Sequence, residues 1–165
     1  MGDEQARHPE YPEAKSAAIR LLAHQARTRS YLEQRLRGKG LAAAAVEQAV
    51  GDLARAGYVD DEQYARRRIE ALLGQSKQGP QALTHRLVQD GVDQDLAERI
   101  VTEALEGEDL SEWAAQVARE RAAIMRGVEP GAARRRLYGY LKRRGFTNAH
   151  CISAMESAIP DADTD

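Results

Sequence analysis

Three glycines set the frame within which this chain can fold. Gly40, Gly91 and Gly145 lie 51 and 54 residues apart, and each sits in the same apolar surroundings. A leucine stands eight residues before each one (Leu32, Leu83, Leu137), and another stands four before (Leu36, Leu87, Leu141). A large apolar residue follows at once: Leu41, Val92, Phe146. The next apolar sets agree in register as well: Val46, Ala49, Val50 and Leu53; Ala97, Ile100, Val101 and Ala104; Cys151, Ala154, Met155 and Ala158. So many matches at one offset identify a threefold internal repeat, which means a row of similar modules instead of one large core.

Each copy reads as three short helices. Upstream of the leucine pair, Ala14, Ala17, Ala18, Leu21 and Leu22 follow the i, i+3, i+4 spacing of a half-buried helix. Ala65, Ile69, Leu72 and Leu73 repeat that spacing, as do Ala114, Val117, Ala118, Ile124 and Met125. The second helix carries the leucines one turn apart on one face. Ser30 with Glu33 has the form of a capping box, and Pro80 and Pro130 suit a first helical turn. The repeat glycine is then the natural left-handed residue that closes the helix. Asp93 and Thr147 are placed to open the third helix. The expectation is an all-α protein of three tandem three-helix repeats, about nine helices, stacked into an elongated array. The boundaries read as an acidic N-terminal tail 1–13, repeats 14–57, 58–107 and 108–159, and an acidic C-terminal tail 160–165.

Charge is distributed unevenly. The net charge of −2 conceals −3 in residues 1–13, −3 in 160–165 and +4 between them. A weakly basic body suits a nucleoprotein partner as well as an ordinary mixed-charge surface. No apolar run approaches the ~20 residues that span a bilayer. The start, MGDEQARHPEYPEAK, has neither the basic opening nor the apolar stretch of a signal peptide. A single cysteine, Cys151, forms no internal disulfide. A cytoplasmic location without membrane contact is expected.

Three stretches carry a family resemblance: RSYLEQRLRGKG (29–40), GYVDDEQYARRR (57–68) and RRRLYGYLKRRGF (134–146). In order and spacing they resemble the RecX family of bacterial recombinase regulators, over roughly residues 15–159. The link before Leu137 is longer than in the other copies, and the helix at 80–90 is sparsely basic. The resemblance implies a protein that binds RecA and its filament on single-stranded DNA, lies along the filament groove, and restrains ATP hydrolysis and strand exchange. It implies no catalytic site.

The residues themselves agree that chemistry is not the business of this chain. Asp60 and Asp61 form the one conspicuous carboxylate pair, but Asp60 with Gln63 reads as a helix cap and first-turn acids favour the helix dipole. His8, His24, His85 and His150 have no metal-ligand spacing with one another or with Cys151. Cys151 falls in the slot of Val46 and Ala97, a small core position. There is no phosphate-binding glycine loop and no nucleophile elbow. No enzyme, metal or cofactor is expected. Among the aromatics, Phe146, Tyr58 and Trp113 read as core anchors, while Tyr138 and Tyr140 stand between core and partner contact.

Basic residues concentrate on the second helices. Arg35 and Arg37 lie on the first, and Arg134, Arg135, Arg136, Lys142, Arg143 and Arg144 give the third +6 without an acid. A helix-turn-helix protein places its last helix in the major groove. Here residues 93–106 carry −4, which phosphate repels, so duplex reading by third helices is disfavoured. Arg66, Arg67 and Arg68 form a second cluster, though Asp60, Asp61, Glu62 and Glu70 on the same helix bring its total to −1. The candidate contact set is therefore Arg35, Arg37, Arg66, Arg67, Arg134, Arg135, Arg136, Tyr140, Lys142, Arg143 and Arg144. The expected partner is RecA and its filament, met by a monomer, with weak direct single- or double-stranded DNA contact. Two alternatives stand beside this: a helical module that competes for single strands, and a helical adaptor for some other protein.

Overall fold

A computed structural model describes residues 7–160; the acidic stretches of 1–6 and 161–165 lie outside the described residues. Among those described there are nine helices and no strand: α1 Tyr11–His24, α2 Arg29–Arg37, α3 Ala43–Arg55, α4 Asp61–Gln75, α5 Pro80–Gln89, α6 Gln94–Ala104, α7 Leu110–Ala123, α8 Pro130–Arg143 and α9 Asn148–Ala158. The described residues divide into two compact units, 7–68 with 87–97, and 69–86 with 98–160.

In the first unit α1, α2 and α3 pack on one another. Their core holds Leu32 and Leu36 with Ala17, Ala18, Val46, Val50, Leu53 and Val59. A second cluster joins Tyr11 and Ala14 to Ala45 and Ala49. α1 thus starts inside the segment expected as tail. Its Tyr11 hydroxyl donates to Asp52 Oδ2 at 2.5 Å, and Glu10 accepts from the Ala42 amide at 2.7 Å. In the second unit α7, α8 and α9 pack together around Leu137, Leu141, Phe146, Cys151 and Ala154. All six repeat leucines are fully buried. Each takes a helical slot whose neighbours one turn away are also apolar, so burial and helix period reinforce each other.

Gly40, Gly91 and Gly145 have φ of +87°, +91° and +83°. Gly91 and Gly145 stand directly after the capping residues Asp90 and Arg144, while Gly40 lies one place further out, beyond Gly38 and Lys39. In the first unit the end of α5 meets the start of α2. Thr28 Oγ1 donates to Asp90 O at 2.8 Å, and a Cβ on Gly91 would lie 2.7 Å from that hydroxyl. In the second unit the end of α8 meets the start of α5. The Gly79 amide donates to Arg144 O at 2.8 Å and the Gln81 amide to Gly145 O at 3.2 Å. A Cβ on Gly145 would overlap the backbone nitrogen and Cβ of Ala82. Glycine at these two positions is therefore required both by the left-handed backbone and by close approach.

Four local expectations are corrected. The α2 cap is Thr28, whose hydroxyl accepts from the Tyr31 amide, and Ser30 lies inside the helix. Thr28 wins because the same hydroxyl also reaches Asp90 O. Tyr58 is 71% exposed instead of anchoring a core, since the turn through Gly57 (φ +79°) presents Val59 inward in its place. Ile124 is 70% exposed because α7 ends at Ala123. At the end of α6 the buried residue is Leu105, one place beyond the exposed Ala104.

The remaining capping expectations hold. Asp60 Oδ1 accepts from the Gln63 amide at 2.8 Å, Asp93 Oδ1 from the Asp95 and Leu96 amides, and Thr147 from the His150 amide. Asp61 binds the Arg29 amide at 2.8 Å, tying α4 to the start of α2, and burial pushes its carboxyl above the ordinary aspartate range. Both carboxylates of the pair thus have structural duties. Phe146 is fully buried and Trp113 packs against the second-unit core.

Candidate functional site

The sequence of α8 builds its own charged face. Pro130 occupies the first turn, and Glu129 caps it by accepting from the Gly131 and Ala132 amides, each at 2.7 Å. Those two amides hold the Glu129 carboxyl below its usual range. Ala133, Leu137 and Leu141, four residues apart, face the core. The helical period then sends Arg135, Arg136 and Arg143 outward, and all three are exposed. Cations near the C-terminal end also complement the helix dipole.

The six cations of 134–144 divide by what they touch. Arg134 donates to Ile159 O at 3.0 Å, fastening α8 to the end of α9. Lys142 reaches Phe146 O at 3.4 Å. Arg144 donates to the Tyr140 hydroxyl through Nε at 3.2 Å and a terminal nitrogen at 2.8 Å, and its guanidinium lies 5.3 Å from the ring centroid. A second guanidinium, that of Arg121 on α7, lies 4.9 Å from the same centroid. Its Nε is buried without a hydrogen-bond partner. The ring quadrupole attracts both cations and offsets part of their mutual repulsion. Tyr140 is in this way a holder of arginines, with its ring already engaged.

Two grooves of the second unit share Tyr140 and Arg121. One is bordered by Leu73–Lys77, Gln116, Val117, Glu120, Ile124 and Arg144. The other is lined by Ile124, Met125 and Val128 on one side and by Arg135, Arg136, Gly139 and Arg143 on the other, with no carboxylate in its wall. Sequence reading named the α8 arginines and Tyr140 but passed over Arg121 and misplaced Ile124. Arg121 belongs to another helix, and only the meeting of α7 with α8 brings it to the ring.

The first-unit candidates form no comparable cluster. Arg37 pairs with Glu33 at 3.4 Å and Arg66 with Glu62 at 2.8 Å, both i, i+4 surface pairs of small energetic weight. Arg35 and Arg67 are exposed. The neighbouring Arg68 binds Asp90 at 2.7 Å. Cys151 is buried, its thiol directed at Phe146 O 3.7 Å away, and burial pushes its pKa up, away from the reactive thiolate. Among the described residues no cluster of three His, Cys, Asp or Glu stands ready for a metal, and no helix is long and apolar enough to cross a membrane.

Comparison with known proteins identifies the family. Residues 14–61 match a family model described as RecX, first three-helix domain, and residues 60–100 match RecX, second three-helix domain. A protein named regulatory protein RecX from Amycolatopsis mediterranei (strain U-32) is 33% identical over 149 residues, covering 90% of this chain and 85% of that one. The chain belongs to the RecX family. Another regulatory protein RecX, from Lactobacillus delbrueckii subsp. bulgaricus, is 29% identical over 156 residues, and this chain spans 56% of its length. The crystal structure of RecX from Lactobacillus salivarius superposes with a TM-score of 0.75 at 19% identity, covering 90% of this chain and 96% of that one. At that identity the likeness speaks for a shared fold. The RecX fold is thus the frame that carries the α8 arginines.

Proposed function

We propose that this RecX-family chain is a non-enzymatic regulator that binds the RecA recombinase and its filament on single-stranded DNA. It acts there as a cytoplasmic monomer, mainly restraining ATP hydrolysis, strand exchange and filament growth in DNA repair and the SOS response. The observation that carries the reading is the second-unit groove lined by four guanidiniums and no carboxylate. Such a surface is poised for a negative partner, and a charge-driven contact of this kind steers association and weakens with salt. Mechanistically the action is steric and electrostatic: a helical protein seated on the filament hinders subunit turnover and the entry of a second strand. Arg135, Arg136 and Arg143 make the principal contact, with Arg134, Tyr140, Lys142 and Arg144 holding that surface in shape. Arg35, Arg37, Arg66 and Arg67 supply weaker contacts.

Titration into a RecA–single-stranded DNA ATPase assay tests the proposal. Direct modulation predicts inhibition relieved by excess RecA. Relief by excess single-stranded DNA alone identifies a competitor for the strand, and no effect identifies an adaptor for some other protein.

A further inference from the structure

The α7–α8 groove combines two features that a single kind of ligand must satisfy together. One wall is apolar: Ile124 is 70% exposed, and the half-buried Met125 and Val128 lie along the same groove. The α8 side carries the exposed guanidiniums of Arg135, Arg136 and Arg143, and Arg121 of α7 also lines the groove. Arg135 also senses the Glu129 carboxylate, whose pKa it helps to lower.

Nucleic acid satisfies only half of this surface. Phosphates would pair with the arginines, but an exposed isoleucine gains little from a charged backbone. Single strands are gripped by stacking bases on aromatic rings. The aromatic residue in this groove, Tyr140, already has two guanidiniums against its ring. A protein segment does satisfy both walls: carboxylates form charge-assisted hydrogen bonds with guanidinium forks, while a large side chain between them covers the apolar wall.

Resting on the functional reading above, we propose that this groove docks an acidic segment of the protein component of the filament. One large apolar side chain of that segment seats against Ile124, Met125 and Val128. Flanking carboxylates meet Arg135, Arg136 and Arg143.

The test is Ile124→Ser in the full chain, measured by fluorescence anisotropy against the RecA–single-stranded DNA filament and, separately, against bare oligo-dT. Ile124 is exposed, so circular dichroism and melting should match the parent; Met125→Gln serves as a second variant on the same wall. The expected result is a loss of filament affinity of about tenfold, the scale of uncovering one large aliphatic side chain. Binding to oligo-dT and the slope of affinity against salt should stay as they are, since no charge has changed. Unchanged filament affinity in both variants overturns the proposal. An equal loss toward filament and oligo-dT overturns it too, and assigns the groove to nucleic acid. A parent protein that fails to bind the filament refutes the functional reading itself, and this inference with it.

Discussion

The two kinds of repeat glycine should respond very differently to one added methyl group. At Gly40 a Cβ would meet nothing within 4 Å, so alanine there suffers only from the positive φ of +87°. That strain costs about 1–2 kcal/mol. At Gly145 the same strain applies at φ +83°, but the methyl also collides with the Ala82 backbone. Relief requires the α8 end to move off the α5 start, stretching the Gly79–Arg144 and Gln81–Gly145 hydrogen bonds of 2.8 and 3.2 Å. Each such bond contributes about 1 kcal/mol, and overpacking adds about 1–3 kcal/mol, so Gly145→Ala should cost about 3–5 kcal/mol more than Gly40→Ala. Urea unfolding followed by far-ultraviolet circular dichroism would compare the two variants. Trp113, the single tryptophan, packs on the second-unit core and reports locally on the unit that holds Gly145. Gly91→Ala should fall between, because its Cβ meets mainly the Thr28 hydroxyl at 2.7 Å. Equal losses for Gly40→Ala and Gly145→Ala would refute the helix-end junction as a source of stability.

Reversing Arg135, Arg136 and Arg143 to Glu takes the 134–144 segment from +6 to zero. It should lower filament affinity at low salt by about 100-fold while leaving helicity intact, whereas reversing Glu98, on α6, should matter much less. A surface pull-down with circular dichroism on the same samples would decide this; full binding by the folded triple variant sinks the claim for α8. Cys151→Ala should lose about 1 kcal/mol and keep full activity, and native Cys151 should resist maleimide until the protein unfolds, as mass spectrometry would show. Tyr11→Phe removes the hydrogen bond that, before any other influence, holds the Asp52 carboxyl below its usual range. A carboxyl with a lowered folded pKa contributes stability above its unfolded pKa and loses it as pH falls through the folded value. The variant should therefore be about 1 kcal/mol less stable at neutral pH, and the gap should close in acid; a gap independent of pH would disprove the linkage.

Periodicity made the leucine pairs, the glycine turns and the fully buried Cys151 legible, because those positions follow from local helix geometry and a repeated offset. Competition between neighbours was not legible. Thr28 and Ser30 are equally good caps on paper, and the choice falls to Thr28 through a contact with Asp90, distant in sequence. Tyr58 and Val59 are both apolar enough for a core, and the dihedral angle of Gly57 decides which one enters. Tyr11 reads as part of an acidic tail until Asp52, one helix pair away, supplies its partner. At the site, the run of arginines was plain in the sequence. Its division into fastening residues (Arg134, Arg144) and outward ones (Arg135, Arg136, Arg143) was not, because that depends on how α9 and Tyr140 lie against α8.

Five of the six cations in the α8 segment are arginines, and Arg121 is another. A guanidinium keeps its proton at every pH a living cell reaches, and its planar fork is fixed in shape. The charge of this face is therefore constant, with no histidine in the groove wall to titrate. Lysine acetylation, a common way to silence a basic surface, has only Lys142 to act on in that segment, and Lys142 is turned toward Phe146 O. Control over such a surface has to come from outside it: from how much of the chain is made, from the ionic strength around it, or from a partner that covers the groove.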